Sequence, residues 1–286
     1  MGSACIRTSH STPLADAPDN EAVEPRVLPF DDRGTGDPLV LVPGGLTGWV
    51  SWQPHQERLV NRHRLIRVQP IHNELGSKGV PGDPGYTAQV ERESLRLTLD
   101  ALDLERPHLA GWSGGGLALI EFAIEYPERV RSLTLVEPAA YWVLAQLGER
   151  LDEVEESNGF VRGLFGREVS EDELATFLRL GGLAAAGEEV RSHPNWARWV
   201  EHRTTLSWLG PLLDHPERSI DDLARIAAPA LVTKGTNSTP VDRRLVDVLG
   251  ERLSNAEVRE FDGDHAHHIE QIGPFLEALE AHLAQA

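Results

Sequence analysis

A serine flanked by glycines is the feature of this sequence best suited to covalent chemistry. Gly111-Trp-Ser-Gly-Gly115 has the pattern Gly-x-Ser-x-Gly, between a predicted strand at His108–Gly111 and a predicted helix at Leu117–Tyr126. A sharp strand-to-helix turn lifts the serine hydroxyl above a sheet, and glycines are needed there because side chains would collide with neighbouring elements. We therefore predict that Ser113 is a nucleophile. The alternative is a glycine-rich turn with an inert serine. A phosphate-binding loop is not indicated, because the phosphate-loop and dinucleotide-binding motifs are absent.

A histidine cluster near the C-terminus could supply the general base. Asp262-Gly-Asp-His-Ala-His-His268 follows a predicted strand at Glu257–Phe261 and precedes a predicted helix at Ile269–Leu283, where a base is expected in chain order after the nucleophile. His265 lies nearest the strand end and is the candidate base, whereas His268 is expected to pack one helical turn along. A metal site is the alternative for His-x-His-His, but no carboxylate spacing supports it. We predict neither a metal nor a cofactor.

Backbone amides could stabilise a developing negative charge beside this serine. Pro43-Gly44-Gly45 follows a predicted strand at Pro38–Val42, so the amide of Gly45 can join that of Gly114 in a two-donor oxyanion hole. Leu46 and Trp112 flank these two glycines. We predict that both side chains contact the substrate.

Alternating strands and helices must position these groups. Helical stretches of about ten to nineteen residues separate short apolar runs, which predicts an α/β fold with a doubly wound, mostly parallel sheet. Reactive groups then lie at the carboxyl ends of the strands. The predicted strands are Pro38–Pro43, Arg64–Gln69, His108–Gly111, Ser132–Val136, Ala230–Thr233 and Glu257–Phe261.

One long segment interrupts this alternation. Between about Tyr141 and Ala228 the patterns are helical only, with capping boxes at Ser170 and Ser219 and a helix over Asn195–Leu206 opened by a proline. An all-helical insertion after a strand end is typical of a lid. We therefore predict a core at 25–140 and 229–286, a helical lid at 141–228 and a flexible tail at 1–24.

Composition limits the partners. The chain has 286 residues, with 27 Lys and Arg against 45 Asp and Glu, a formal net charge of −18. Such a field repels phosphate backbones, so nucleic-acid binding is not expected, and no apolar run is long enough to cross a membrane. A single cysteine, Cys5, favours a reducing compartment and a cytoplasmic location. A homo-oligomer is a possible assembly.

Four segments together resemble the α/β-hydrolase superfamily. They are Pro43–Gly45, Gly111–Gly115, Tyr126-Pro-Glu-Arg-Val130 and His265-Ala-His-His-Ile-Glu270. The resemblance runs from about Arg26 to the C-terminus and implies a cofactor-free serine hydrolase with a nucleophile, acid and histidine triad. In most members the acid lies in a Gly-x-x-Asp turn after the lid, but this chain has Gly235-Thr-Asn-Ser, with a serine in that position.

Another carboxylate must then partner the histidine, because a triad base needs an anion to fix its tautomer. Glu137 ends the Ser132–Val136 strand, and some α/β-hydrolases place their acid there. Zearalenone lactone hydrolases pair serine with glutamate at this place, and the chain has fragments similar to theirs. Asp242, just past the turn at Gly235, is the rival acid. The similar fragments are Leu41-Val-Pro-Gly-Gly-Leu46, Tyr126–Val130, His193-Pro-Asn-Trp-Ala-Arg198 and Gly235-Thr-Asn-Ser-Thr-Pro240.

Tryptophans predict the character of the pocket. All seven map to segments after strand ends or to the predicted lid, which suggests an aromatic-lined cavity holding a small hydrophobic ester or lactone. The alternatives are carbon–carbon bond hydrolysis by the same triad and a hydrolase-derived receptor with negligible turnover. Beyond Leu46 and Trp112, the residues predicted to line the cavity are His72, Trp142, Trp196 and Trp199.

Overall fold

The computed structural model describes residues 23–149, 152–184, 189–213 and 218–286, so the predicted tail lies almost wholly outside the described residues. Its seven strands are β1 Phe30–Arg33, β2 Asp37–Val42, β3 His63–Val68, β4 His108–Trp112, β5 Ser132–Val136, β6 Ala230–Gly235 and β7 Ala256–Phe261. They form one sheet in the order β1-β3-β2-β4-β5-β6-β7, and every neighbouring pair is parallel except β1 with β3. The predicted α/β class and mostly parallel sheet are confirmed.

Helices cover both faces of this sheet. They are α1 Gln53–Leu59, α2 Ile71–Ser77, α3 Ala88–Ala101, α4 Gly114–Glu125, α5 Trp142–Gln146, α6 Asp152–Leu164, α7 Glu171–Leu180, α8 Trp196–Glu201, α9 Pro240–Arg252, α10 His267–Glu270 and α11 Ile272–Leu283. Alternate residues of β2 belong to two apolar clusters: Val40 and Val42 pack with α3, α4 and α9, and Leu39 and Leu41 pack with α1 and α11. This alternation follows from the two-residue period of a strand.

Strand β1 was not predicted from the sequence. Its residues, Phe-Asp-Asp-Arg, lack the apolar alternation that marks a strand, and they lie at the edge of the sheet. Charge pairing with β3 stabilises it instead. Asp31 receives a hydrogen bond from Arg67 at 2.6 Å, and Asp32 receives one from Arg64 at 2.7 Å.

The segment between β5 and β6 contains helices α5–α8 and short 3₁₀ turns, with no strand among its described residues. The capping box at Ser170 begins α7, and the one at Ser219 begins a 3₁₀ turn. The helix predicted over Asn195–Leu206 instead ends at Glu201 and continues as a 3₁₀ turn, since the β-branched pair Thr204-Thr205 disfavours the α-helix. Within the described ranges, no helix is both long and apolar enough to cross a bilayer.

Candidate active site

Ser113 occupies the sharp turn between β4 and α4. Its backbone has φ +53° and ψ −118°, a strained conformation that costs a non-glycine residue roughly 1–3 kcal/mol. The surrounding backbone holds it: the Ser113 amide donates to the Val136 carbonyl at 2.9 Å, and its carbonyl accepts from Ala139 at 3.1 Å. A Cβ added at Gly111 would lie 2.6 Å from the Gly115 carbonyl oxygen. The glycines therefore allow the close packing that exposes the serine.

Glu137 and His265 form a buried hydrogen-bonded pair. The Nδ1 atom of His265 lies 2.7 Å from Oε2 of Glu137. The other oxygen, Oε1, accepts hydrogen bonds from the Gly235 amide at 2.7 Å and from the Ser238 hydroxyl. Glu137 is only 1% exposed and has a φ of +37°. Ser238, in the position where the family usually has the acid, thus donates to the glutamate from the neighbouring strand end.

The charges of the pair reinforce each other. Burial by itself would raise the pKa of Glu137, but the His265 ring and the Ser238 hydroxyl bring it below its ordinary value. Burial would lower the pKa of His265, but the hydrogen bond and charge of Glu137 raise it above its ordinary value. Since Glu137 accepts a hydrogen bond from the Nδ1–H group, the Nε2 atom of neutral His265 can accept a proton from another group. The backbone carbonyl of His265 is fixed by the Trp112 indole N–H at 2.9 Å.

Asp242 lies close to this pair but has other partners. It accepts hydrogen bonds from the Tyr141 and Thr239 hydroxyls, both at 2.6 Å, and burial raises its pKa. Ligand-capable atoms of Glu137, Asp242 and His265 all lie within 4.8 Å of one another, a spacing that could hold a metal ion. The hydrogen bond between His265 and Glu137 uses two of the group's ligand atoms, and both oxygens of Asp242 accept hydrogen bonds from hydroxyl groups outside the group.

The other two histidines of the cluster are packing residues in this structure. The Nε2 atom of His267 lies 2.9 Å from the Thr233 hydroxyl. His268 is fully buried, with ring centroids of Trp112 and Trp52 at 4.8 and 5.0 Å. Burial lowers the pKa of both histidines, and that of His268 falls well below its ordinary value.

A cavity of about 110 Å³ opens beside Ser113 and His265. We call it the catalytic cavity. Gly45, Gly114, Leu46 and Trp112 line it, as the sequence placed them. Gly114 is the first residue of α4, so its amide has no acceptor within the helix, and a Cβ added there would lie 3.6 Å from the Gly45 nitrogen. The segment between β5 and β6 supplies an apolar wall: Val161, Phe177, Leu180, Leu183, Leu209, Leu212 and Leu213.

Three predicted tryptophans do not line this cavity, which corrects the expectation of an aromatic wall. Trp199 stacks on His193 with centroids 4.4 Å apart, and the Arg191 guanidinium lies 5.7 Å from the Trp196 ring. Trp142 packs against the apolar cluster of α3, α4 and α9. These three rings pack within or between helices, whereas leucine side chains line the cavity beside Ser113. His72 lines a smaller adjoining cavity. The contacts of Tyr141 and Ser238 were not predicted from the sequence, although the serine in the turn that usually carries the acid was an available signal.

Comparisons with known proteins agree with this architecture. Residues 37–271 match the model of a family described as alpha/beta hydrolase fold. A putative carbamate hydrolase, RutD, of Azorhizobium caulinodans is 29% identical over 264 residues, which cover 84% of this chain and 88% of the relative. The 2-hydroxy-6-oxo-2,4-heptadienoate hydrolase of Pseudomonas putida is 37% identical over 126 residues, or 43% and 44% of the two chains. An esterase of Thermogutta terrifontis has a TM-score of 0.71 at 20% identity, covering 90% and 93%.

Proposed function

The chain belongs to the alpha/beta hydrolase fold family, and from this premise we propose that it is a serine hydrolase cleaving a carboxylic ester or lactone of a hydrophobic molecule. The observation that carries the proposal is the Glu137–His265 hydrogen bond of 2.7 Å, with His265 and Ser113 lining the same cavity. Nucleophile, base and orienting acid are the three parts that covalent acyl transfer requires.

The proposed reaction begins when Oγ of Ser113 attacks the substrate carbonyl carbon and His265 Nε2 accepts the hydroxyl proton. Amides of Gly45 and Gly114 stabilise the oxyanion that develops on the carbonyl oxygen. The imidazolium then gives its proton to the leaving oxygen, and the acyl group stays on Ser113. Water, activated by His265, releases the acid in the same way. Glu137 fixes the ring tautomer and stabilises the imidazolium throughout.

Neutral, apolar substrates fit the catalytic cavity best. Its lining among the described residues contains no Lys or Arg, and most of the wall is aliphatic. Leu180, Leu183 and Leu209 belong to residues 141–228, which we propose to act as a lid that covers the substrate and excludes water. A lactone suits such a site because its leaving alcohol stays attached to the acyl chain. The cytoplasmic location and the homo-oligomer stay predictions from the sequence.

Carbon–carbon bond hydrolysis is the second candidate, favoured by the name of the Pseudomonas putida relative. A dienoate carries a carboxylate, and burying an anion without a cationic partner is costly. Because the described lining supplies no such partner, the ester or lactone is the better fit.

The test is a substrate panel with purified protein: aryl esters, hydrophobic lactones, an aryl carbamate and a dienoate ketone. We expect turnover of esters or lactones, a loss of at least about 10³-fold in Ser113→Ala and no loss in Ser77→Ala, which removes an exposed serine of α2. Dienoate cleavage without ester or lactone turnover would instead identify the second candidate. A single acylation event without further turnover would identify the receptor alternative.

A further inference from the structure

A second, smaller cavity adjoins the catalytic cavity. We call it the side cavity. Gly114, Leu117 and Leu212 line both cavities, so the two cavities adjoin at the residue that follows Ser113. The side cavity offers about 20 Å³ to the centre of a water-sized molecule, and roughly 10–15 Å³ is enough for one water.

His72 lines this cavity and has a buried ring nitrogen without a described hydrogen-bond partner. The residue is the second of α2, is buried, and lines the side cavity. Its Nδ1 atom lies 2.7 Å from the Tyr86 hydroxyl, whereas its Nε2 atom has no hydrogen-bond partner among the residues that the structure describes. Buried polar atoms nearly always have partners, because an unpaired one loses its bond to water and gains nothing.

Neighbouring groups determine which proton the ring carries. The Tyr86 hydroxyl donates its only proton to Oε2 of Glu91 at 2.6 Å. Burial raises the pKa of Glu91 to about 7, so above this pH the carboxylate can only accept. His72 Nδ1 must then donate to the Tyr86 oxygen. Burial lowers the pKa of His72 to about 3, so the ring is neutral and Nε2 presents a lone pair.

His72 is only 4% exposed, and the elements around it are closely packed. The Tyr86 ring meets the Trp208 ring edge-on at 5.3 Å. On α2, a Cβ added at Gly76 would lie 2.4 Å from the Cα atom of Thr205, so the helix is held against the neighbouring 3₁₀ turn. Because the buried His72 lines the side cavity, this cavity is where a partner for Nε2 can lie.

We propose that the side cavity binds a single O–H donor at Nε2 of His72. The donor has two sources with the same chemistry: an internal water, or a hydroxyl that the substrate carries next to its reacting carbonyl. The water needs no catalysis, whereas the substrate hydroxyl rests on the proposed function.

Crystallography tests the site without any turnover. We expect unliganded parent crystals at about 1.5 Å resolution to show density roughly 2.7–3.2 Å from Nε2 of His72, and His72→Phe to lose it. His282→Phe is the matched control, because Nε2 of His282 is also buried without a described partner and His282 does not line this cavity. If His72→Phe does not fold, the parent map still decides the water source.

Matched substrates test the second source. Aryl mandelates and aryl phenylacetates differ only by a hydroxyl on the carbon next to the carbonyl. If the substrate supplies the donor, the parent prefers the mandelate by roughly three- to tenfold in kcat/KM, and His72→Phe but not His282→Phe abolishes that preference. A constant ratio together with density at Nε2 identifies water. No density and no preference would overturn the proposal; if neither ester turns over, the proposed function fails and the map alone decides.

Discussion

Replacing Glu137 by glutamine tests the orienting role of this residue. The substitution keeps the size of the side chain and removes its charge. The Gly235 amide and the Ser238 hydroxyl both donate to Oε1, so the oxygen of the glutamine is expected to stay at that position. Its NH₂ group then faces Nδ1 of His265. That ring nitrogen must become the acceptor, and the proton moves to Nε2, where it blocks proton transfer from Ser113.

The expected loss in kcat is about 10⁴-fold, as for the same change in the triad of a serine protease. This corresponds to about 5 kcal/mol of transition-state stabilisation. Asp242→Asn is the matched control, since Asp242 is equally buried but bonds the Tyr141 and Thr239 hydroxyls. We expect it to stay within about threefold of the parent.

The assay is kcat/KM for an activated ester as a function of pH. His265 must be neutral to act as a base, and Glu137 raises its pKa, so the parent should lose activity on the acid side with a midpoint above pH 6.5. In Glu137→Gln the residual activity should have a lower midpoint, because burial, which lowers the pKa of His265, is no longer outweighed. If Asp242→Asn is the inactive variant and Glu137→Gln works normally, the assignment of the acid is wrong.

Three further changes have expected outcomes. Ser238→Ala should lower kcat/KM about tenfold, because a hydrogen bond to a charged group contributes about 1.5 kcal/mol; a parent-like rate would refute the coupling to Glu137. In chemical denaturation, Gly111→Ala should lower the free energy of unfolding by about 2 kcal/mol, because the added methyl group meets the Gly115 backbone. Gly159→Ala, at an open position of α6, should raise the free energy of unfolding by about 0.5 kcal/mol. Equal effects of the two substitutions would contradict the close packing at Gly111. Trp196→Ala should lower the melting temperature of the protein and leave the ratio of its rates on lactones and on acetate esters constant. A changed ratio would indicate that the Trp196 ring contacts the substrate.

Much of the sheet could be predicted from the sequence because its buried strands are continuous apolar runs. The predicted strand Ser132–Val136 has the observed bounds, and the ends of the other predicted strands differ from the observed ones by at most two residues. Strand β1 could not be predicted in this way, since its stability depends on arginines of β3 that lie more than thirty residues away.

The site was predictable to the level of segments. Parallel strands bring their carboxyl ends to one edge of the sheet, so the sequence placed Glu137 and His265 near each other. It could not show which way a helical side chain faces. Trp196 and Trp199 lie in the expected helix, but their rings pack against other parts of the 141–228 segment. The Ser238 hydrogen bond to Glu137 needed coordinates, because it joins residues 101 positions apart.

Covalent labelling of the serine tests the central claim most directly. A fluorophosphonate probe reacts with an activated serine, and digestion followed by mass spectrometry identifies the modified residue. We predict one labelled peptide, carrying the probe on Ser113, with labelling lost in Ser113→Ala and strongly slowed in His265→Ala. Labelling of a different serine, or ester turnover by Ser113→Ala at the parent rate, would contradict the account.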